Sequence, residues 1–145
     1  MKIDTRDILK NKMNTGSQRM TRQRLIILDE LKKVTSHPSA YEVYRMVERK
    51  IPNISFGTVY RNLGLLEELG LIQELNYGKG FSRYDGTPDN HYHISCERCG
   101  RVDDIPISIW KRLDGEVARA SHYEVKSHRM EFYGLCQKCR NSRRR

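Results

Sequence analysis

The chain has 145 residues and carries 27 Lys and Arg against 18 Asp and Glu, a formal net charge of +9. That length suffices for one domain or two very small ones, and no apolar run approaches the ~20 residues of a membrane-spanning helix. The basic excess favours a polyanionic partner, nucleic acid first and an acidic membrane surface second; a merely soluble basic protein would look the same until a motif supports the charge.

Residues 1–7, Met-Lys-Ile-Asp-Thr-Arg-Asp, have no apolar signal-peptide core, so a cytoplasmic location is expected, where thiols stay reduced. Residues 1–20 are polar and basic, with a helix predicted over about 5–14. Thr21 is a good N-cap, and a helix over 22–34 follows with Leu25, Leu28 and Leu31 at helical spacing. His37-Pro38 breaks that pattern. Ser39-Ala40-Tyr41-Glu42 fits a capping box, opening a helix to about residue 50 with Val43, Met46 and Val47 inward. Ser55 caps a third helix that Gly70 stops. Its inward face reads Phe56, Val59, Leu63 and Leu66. The 100° step per residue puts Gly57, Thr58, Arg61 and Gly64 opposite, with Tyr60 on the flank. Strand-like runs at 71–76 and 81–84 flank Gly78-Lys79-Gly80, a hairpin with a basic tip.

Helices followed by a hairpin make the order of a winged helix, whose third helix would enter the major groove of DNA. The competing reading is three core helices and a plain hairpin. Lys10, Lys12, Arg19, Arg22, Arg24, Lys79 and the exposed Arg61 favour DNA, and residues 1–84 hold +6 of the net charge.

Residues 85–90, Asp-Gly-Thr-Pro-Asp-Asn, read as a linker, dividing the chain into a winged-helix domain over 1–84 and a second domain over 91–145. The second alternates strand-like runs (91–96, 101–105, 123–126, 129–133) with a helix over 107–121 that carries Trp110, Leu113, Val117 and Ala120 on one face. Residues 140–145 form a basic tail. So small an α/β unit needs a staple. The fold class is α+β.

Cys96-x-x-Cys99 and Cys136-x-x-Cys139 can give four thiolates to one tetrahedral zinc. Reduced structural cysteines or a redox pair are the alternatives. With the pairs so far apart, the metal would close the ends of a whole small domain, a role in folding. His91 and His93, two apart in a strand, point to one face. Asp85 precedes them and Asp104 follows, a nitrogen and oxygen set suited to Fe(II), Mn(II) or Zn(II). His37 could add a third imidazole. A metal held by all five would clamp the two domains and select the arrangement that fits DNA. A polar strand face and a surface histidine would produce the same spacing, and spacing alone does not decide between them.

Further motifs are Thr21-Arg22-Gln23-Arg24, His37-Pro38-Ser39-Ala40, Ser55-Phe56-Gly57-Thr58-Val59-Tyr60-Arg61-Asn62-Leu63, His91-Tyr92-His93, Cys96-Glu97-Arg98-Cys99-Gly100 and Tyr133-Gly134-Leu135-Cys136-Gln137-Lys138-Cys139. On these, from about Arg19 to Cys139, the chain resembles the ferric uptake regulator (Fur) family of bacterial metal-dependent repressors, and most of all its peroxide-sensing branch. The resemblance implies a homodimer on double-stranded operator DNA, a structural Zn(II) on the four cysteines, and a regulatory Fe(II) or Mn(II) on His37, Asp85, His91, His93 and Asp104. Iron-sensing members usually carry glutamate where Asp104 stands. The resemblance also implies that Fe(II) and hydrogen peroxide together oxidise His37 or His91 to 2-oxohistidine, releasing metal and DNA, whereas Mn(II) supports DNA binding without that chemistry. Arg19, Arg22, Thr58, Tyr60, Arg61 and Lys79 are the expected DNA contacts.

Two departures stand out. The additional metal site common in the family looks incomplete, with Asn90 and Tyr92 among its expected ligands and only His122 and His128 nearby; His128 is expected as a buried strand histidine. Arg61 stands where some peroxide regulators have asparagine, and it could take a guanine bidentately. The alternatives are an iron- or manganese-responsive repressor without peroxide chemistry, a metallohydrolase using the histidine and aspartate set, and a zinc-stapled interaction module. A hydrolase would need an open coordination position and would leave the basic helices idle.

Overall fold

The computed structural model describes residues 20–76 and 82–142. The helix expected over 5–14, Arg19, the hairpin tip with Lys79, and the last three residues lie outside them. Two compact units emerge. One runs to Val34 and from Pro38 to Pro88; the other takes Thr35–His37 and everything from Asp89.

The first unit contains α1 (Arg22–Lys32), α2 (Ala40–Glu48), α3 (Phe56–Glu68), β1 (Gln73–Leu75) and β2 (Arg83–Asp85). Each helix opens on a hydroxyl cap: Thr21 accepts from the Arg24 amide, Ser39 from Glu42 and Ser55 from Thr58. These bonds occupy amides that no helical carbonyl can reach. Gly70, at φ 69°, ends α3. Its amide donates to the Glu67 carbonyl and that of Leu71 to Leu66, a left-handed closure that glycine adopts without steric cost. The core is Ile27, Leu28, Leu31, Val43, Val47, Ile54, Val59, Leu63, Leu66, Leu71, Ile72 and Tyr84. Each fully buried aliphatic among them contributes about 1.5–3 kcal/mol against the entropy of ordering the chain. β1 and β2 pair antiparallel, Gln73 opposite Asp85. Beyond β2 the backbone passes so close to α1 that a Cβ on Gly86 would meet the Leu31 carbonyl group at 3.0 Å.

Phe56 departs from the expected inward face. It is 43% exposed, because the first turn of α3 projects beyond the core, and it packs on Tyr44, Tyr41 and Tyr60 with ring centroids 6.0–6.4 Å apart. Asn62 is buried instead, its Oδ1 accepting from Arg24 Nε at 3.0 Å.

The second unit contains β3 (His93–Cys96), β4 (Val102–Asp104), α4 (Lys111–Ser121), β5 (Glu131–Gly134) and α5 (Gln137–Ser142). The sheet order is β4-β3-β5, antiparallel for β3 with β4 and parallel for β3 with β5. The strand expected over 123–126 is absent: that stretch has no ladder partner among the described residues, and a strand exists only where its amides and carbonyls are paired. Residues 107–110 are likewise irregular, and α4 starts at Lys111 with no side-chain cap. The apolar face expected on α4 exists, but the described residues do not cover it. Ile107 and Trp110 are each 56% exposed and Val117 is 45% exposed, so this unit leaves apolar surface open to water.

Candidate metal centres and nucleic-acid interface

Strand register assembles the thiols. Parallel pairing sets Cys96 opposite Gly134, so the turn after β3 and the turn after β5 emerge side by side. Cys99 sits in the first turn, Cys136 just after the second strand, and Cys139 one turn into α5. Sulfurs of all four lie within 4.8 Å of one another, Cys99 and Cys136 at 3.9 Å. A tetrahedral zinc with ~2.3 Å bonds to sulfur would space its ligands by about 3.8 Å, so the set fits that ion. None of the four forms a disulfide. Backbone amides, that of Cys136 first, draw the Cys96 thiol down to about 6, while burial pushes Cys139 up to about 12. Arg98 braces the set, donating to the Cys139 carbonyl and to Ser142 Oγ.

The histidines gather on one carboxylate. β3 and β4 pair so that His93 faces Asp104. Asp104 Oδ1 lies 2.7 Å from His37 Nε2, 3.0 Å from His91 Nε2 and 3.2 Å from His93 Nε2. His91 Nδ1 sits 2.6 Å from the Asp89 carbonyl. A carbonyl only accepts, so Nδ1 carries the proton and Nε2 presents its lone pair inward. His37 reaches the group through a positive φ of 52°, a conformation uncommon in L-residues that tends to persist at functional positions. Three imidazoles around one carboxylate oxygen form a donor set for a divalent cation. Asp85 belongs to the other unit, where it is buried at the end of β2 and accepts from the Thr87 amide at 2.9 Å.

On the first unit, Tyr60 and Arg61 are exposed along α3, and Arg22 is exposed at the start of α1. Arg61 Nη2 leans on Thr58 Oγ1 at 3.4 Å, and Thr58 Oγ1 bonds Ser55 Oγ. A groove of about 540 Å³ beside the start of α3 is walled by Tyr41, Phe56, Tyr60 and Arg83.

His128 lies in the irregular stretch before β5, not in a strand, and it bonds Tyr92 and Asp114. His122 is exposed at the end of α4, at φ 61°. Sequence reasoning attached no role to Asp114, which carries no spacing signal relative to Tyr92 or His128. Among the described residues, no helix is long and apolar enough to cross a membrane.

The model of the ferric uptake regulator family matches residues 15–133. The peroxide-responsive repressor PerR of Staphylococcus epidermidis is 39% identical over 122 residues, 84% of this chain and 81% of that protein. The peroxide operon regulator of Bacillus subtilis is 38% identical over 136 residues, 94% and 93% of the two chains. Among solved structures, the peroxide stress regulator of Campylobacter jejuni superposes with a TM-score of 0.71 at 29% identity, covering 94% of this chain and all of that one.

Proposed function

The chain belongs to the ferric uptake regulator family, and we propose that it is a metal-dependent transcriptional repressor that senses hydrogen peroxide. The observation that carries the proposal is the convergence of His37, His91 and His93 on Asp104 Oδ1, in a chain whose relatives include peroxide-responsive repressors. The reading is of a cytoplasmic regulator and not an enzyme.

In this reading Cys96, Cys99, Cys136 and Cys139 hold a structural Zn(II), a closed site that serves folding. His37, His91, His93 and Asp104, with Asp85 as fifth ligand, hold Fe(II) or Mn(II), and bound Fe(II) supplies one-electron reduction of peroxide. The chain's own residues do the rest. The Asp89 carbonyl keeps the His91 ring turned so that Nε2 points at the site, and the β3–β4 register keeps His93 opposite Asp104. An imidazole oxidised at His37 or His91 would be a poorer ligand, so these residues would no longer hold the ion and the DNA-competent state would be lost. Arg22, Thr58, Tyr60 and Arg61, with Arg19 and Lys79, contact double-stranded DNA. The uncovered face of α4 and the unpaired stretch over 123–126 support a homodimer, which would bury both.

The test is to load the protein with Fe(II) without air, add peroxide, and digest it for mass spectrometry. One added oxygen on the peptide bearing His37 or His91, with loss of operator binding, is the expected result. Unmodified histidines, with DNA binding still reversed by a chelator, would overturn peroxide sensing in favour of a plain metal sensor.

A further inference from the structure

The second unit contains a hydrogen-bonded chain that the proposed function does not use. Tyr92, between His91 and His93, turns its ring to the opposite face and is 2% exposed. Its hydroxyl receives the Trp110 amide proton at 2.8 Å and lies 2.5 Å from His128 Nε2. His128 Nδ1 lies 2.5 Å from Asp114 Oδ1. The Asn90 side chain holds the His128 carbonyl at 2.9 Å.

The direction of the chain follows from its ends. An amide only donates, so the Tyr92 oxygen accepts from Trp110, and its one proton is left for His128 Nε2. With a neutral imidazole that nitrogen is bare, and the ring proton sits on Nδ1, given to the Asp114 carboxylate. This is the arrangement of an acid, an imidazole base and an orienting carboxylate, with a phenol where a hydrolase would carry a serine. A buried phenol is no nucleophile toward a substrate that cannot reach it. A phenol can, however, give up an electron from a buried position, provided its proton has somewhere to go at the same moment. His128 supplies that place, and Asp114 stabilises the imidazolium that results.

We propose that Tyr92 is a redox-active residue, an internal electron donor beside the regulatory metal site, with His128 as its proton acceptor. In the step, the Tyr92 O–H bond breaks, its proton moves to His128 Nε2, and one electron passes to a one-electron oxidant of the kind that peroxide and Fe(II) generate. Tyr92 becomes a neutral phenoxyl radical and the oxidant is reduced by one electron. The path is short, because Tyr92 is the chain neighbour of both His91 and His93, with consecutive Cα atoms about 3.8 Å apart. Donation of this electron competes with oxidation of the ligand histidines, so the triad raises the amount of peroxide needed to release the metal. The physiological role rests on the peroxide-sensing function proposed above; the redox property of Tyr92 does not.

Four other described tyrosines lack this environment. Tyr41, Tyr60, Tyr123 and Tyr133 are exposed, and the Tyr133 hydroxyl goes to the Glu131 carboxylate.

The test has two arms on the full-length, zinc-loaded protein. In the first, with no iron present, a photogenerated ruthenium(III) polypyridyl complex oxidises the protein and the sample is frozen for electron paramagnetic resonance. A phenoxyl signal that disappears in Tyr92→Phe and weakens in His128→Gln and Asp114→Asn is the expected result. Circular dichroism and zinc content identify any variant that has failed to fold. An undiminished signal in Tyr92→Phe, or full yield in a folded His128→Gln protein, would overturn the proposal. In the second arm, Fe(II)-loaded Tyr92→Phe receives limiting peroxide. The fraction of His37 and His91 gaining oxygen should rise about twofold, the factor for two competing paths with equal barriers; an unchanged fraction would overturn the protective role. A phenoxyl signal in the first arm with no histidine oxidation in any protein of the second would mean that the peroxide reading has failed while the redox assignment of Tyr92 stands.

Discussion

His37 Nε2 and Asp104 Oδ1 lie 2.7 Å apart across 67 residues of sequence. Asp104 is 42% exposed in its side chain while His37 is buried, so the carboxylate that gathers the imidazoles remains accessible to solvent and metal. Replacing it separates two properties. Asp104→Asn keeps the shape and removes the charge, and should weaken Mn(II) binding by at least about 10-fold while leaving one zinc bound. Titration calorimetry with Mn(II), alongside metal analysis, measures both. Asp104→Glu should keep metal-dependent DNA binding and blunt the peroxide response; equal peroxide sensitivity in this variant would refute the role given to the aspartate.

The thiolate centre should behave as part of the fold. Few apolar side chains of the second unit are buried, and a structural zinc there would supply much of the stability that the core does not. Chelation should therefore unfold the second unit and leave the helical core of the first intact. The single tryptophan, Trp110, lies in the second unit and reports it by fluorescence, while helical circular dichroism is dominated by the first. Without metal, burial pushes the Cys139 thiol up to about 12, so it is protonated at neutral pH and zinc must displace that proton. Zinc uptake should release protons into a weak buffer, and apparent affinity should fall as the pH falls. Uptake without proton release would contradict this.

The helix order, the three caps, the Gly70 stop and the grouping of the four cysteines were legible in the sequence because each rests on a local pattern: hydroxyl before helix, glycine after it, C-x-x-C; joining His37 and Asp104 to His91-x-His93 rested on the family resemblance, because spacing alone left it open. What was not legible depends on what covers a surface. Phe56 has the period of a core residue, but no described element covers the first turn of α3. The stretch 123–126 alternates like a strand, but pairing is a property of two segments, and this one has no partner among the described residues. Asp114 joins Tyr92 only through His128, and no spacing along the chain encodes that contact.

Arg61 carries the clearest DNA prediction. It is exposed on α3, opposite the buried Val59, Leu63 and Leu66, and only a 3.4 Å contact to Thr58 engages it within its own helix. Such a guanidinium is available for a guanine edge, a contact worth about 1–3 kcal/mol. Arg61→Ala should weaken operator binding by that amount and relax discrimination at one base pair. Arg22→Ala should instead weaken binding evenly across sequences and reduce the salt slope by about one. Fluorescence anisotropy against operator and scrambled duplexes, at several salt concentrations, distinguishes the two. Equal loss on both duplexes for Arg61→Ala would assign it to the phosphate backbone.

Glu30 ties α1 to the turn after α2, its Oε1 2.6 Å from Lys50 Nζ and 2.9 Å from Lys33 Nζ. The hydrogen bond from Lys50 is the largest influence on its carboxyl and Lys33 adds to it; against partial burial, together they hold its pKa below the ordinary 4.5. A carboxyl whose pKa is lowered by folding stabilises the protein above its unfolded value, and that contribution fades as the pH falls through the folded pKa. Both lysines are about half exposed, so the contribution at neutral pH is on the order of 0.5–1 kcal/mol. Glu30→Gln should lower the urea midpoint of the helical unit at pH 7 by a corresponding amount. The gap from wild type should narrow below about pH 4.5, and also in 1 M salt, where the attraction is screened. A gap independent of both pH and salt would mean that Glu30 acts through packing and not through charge.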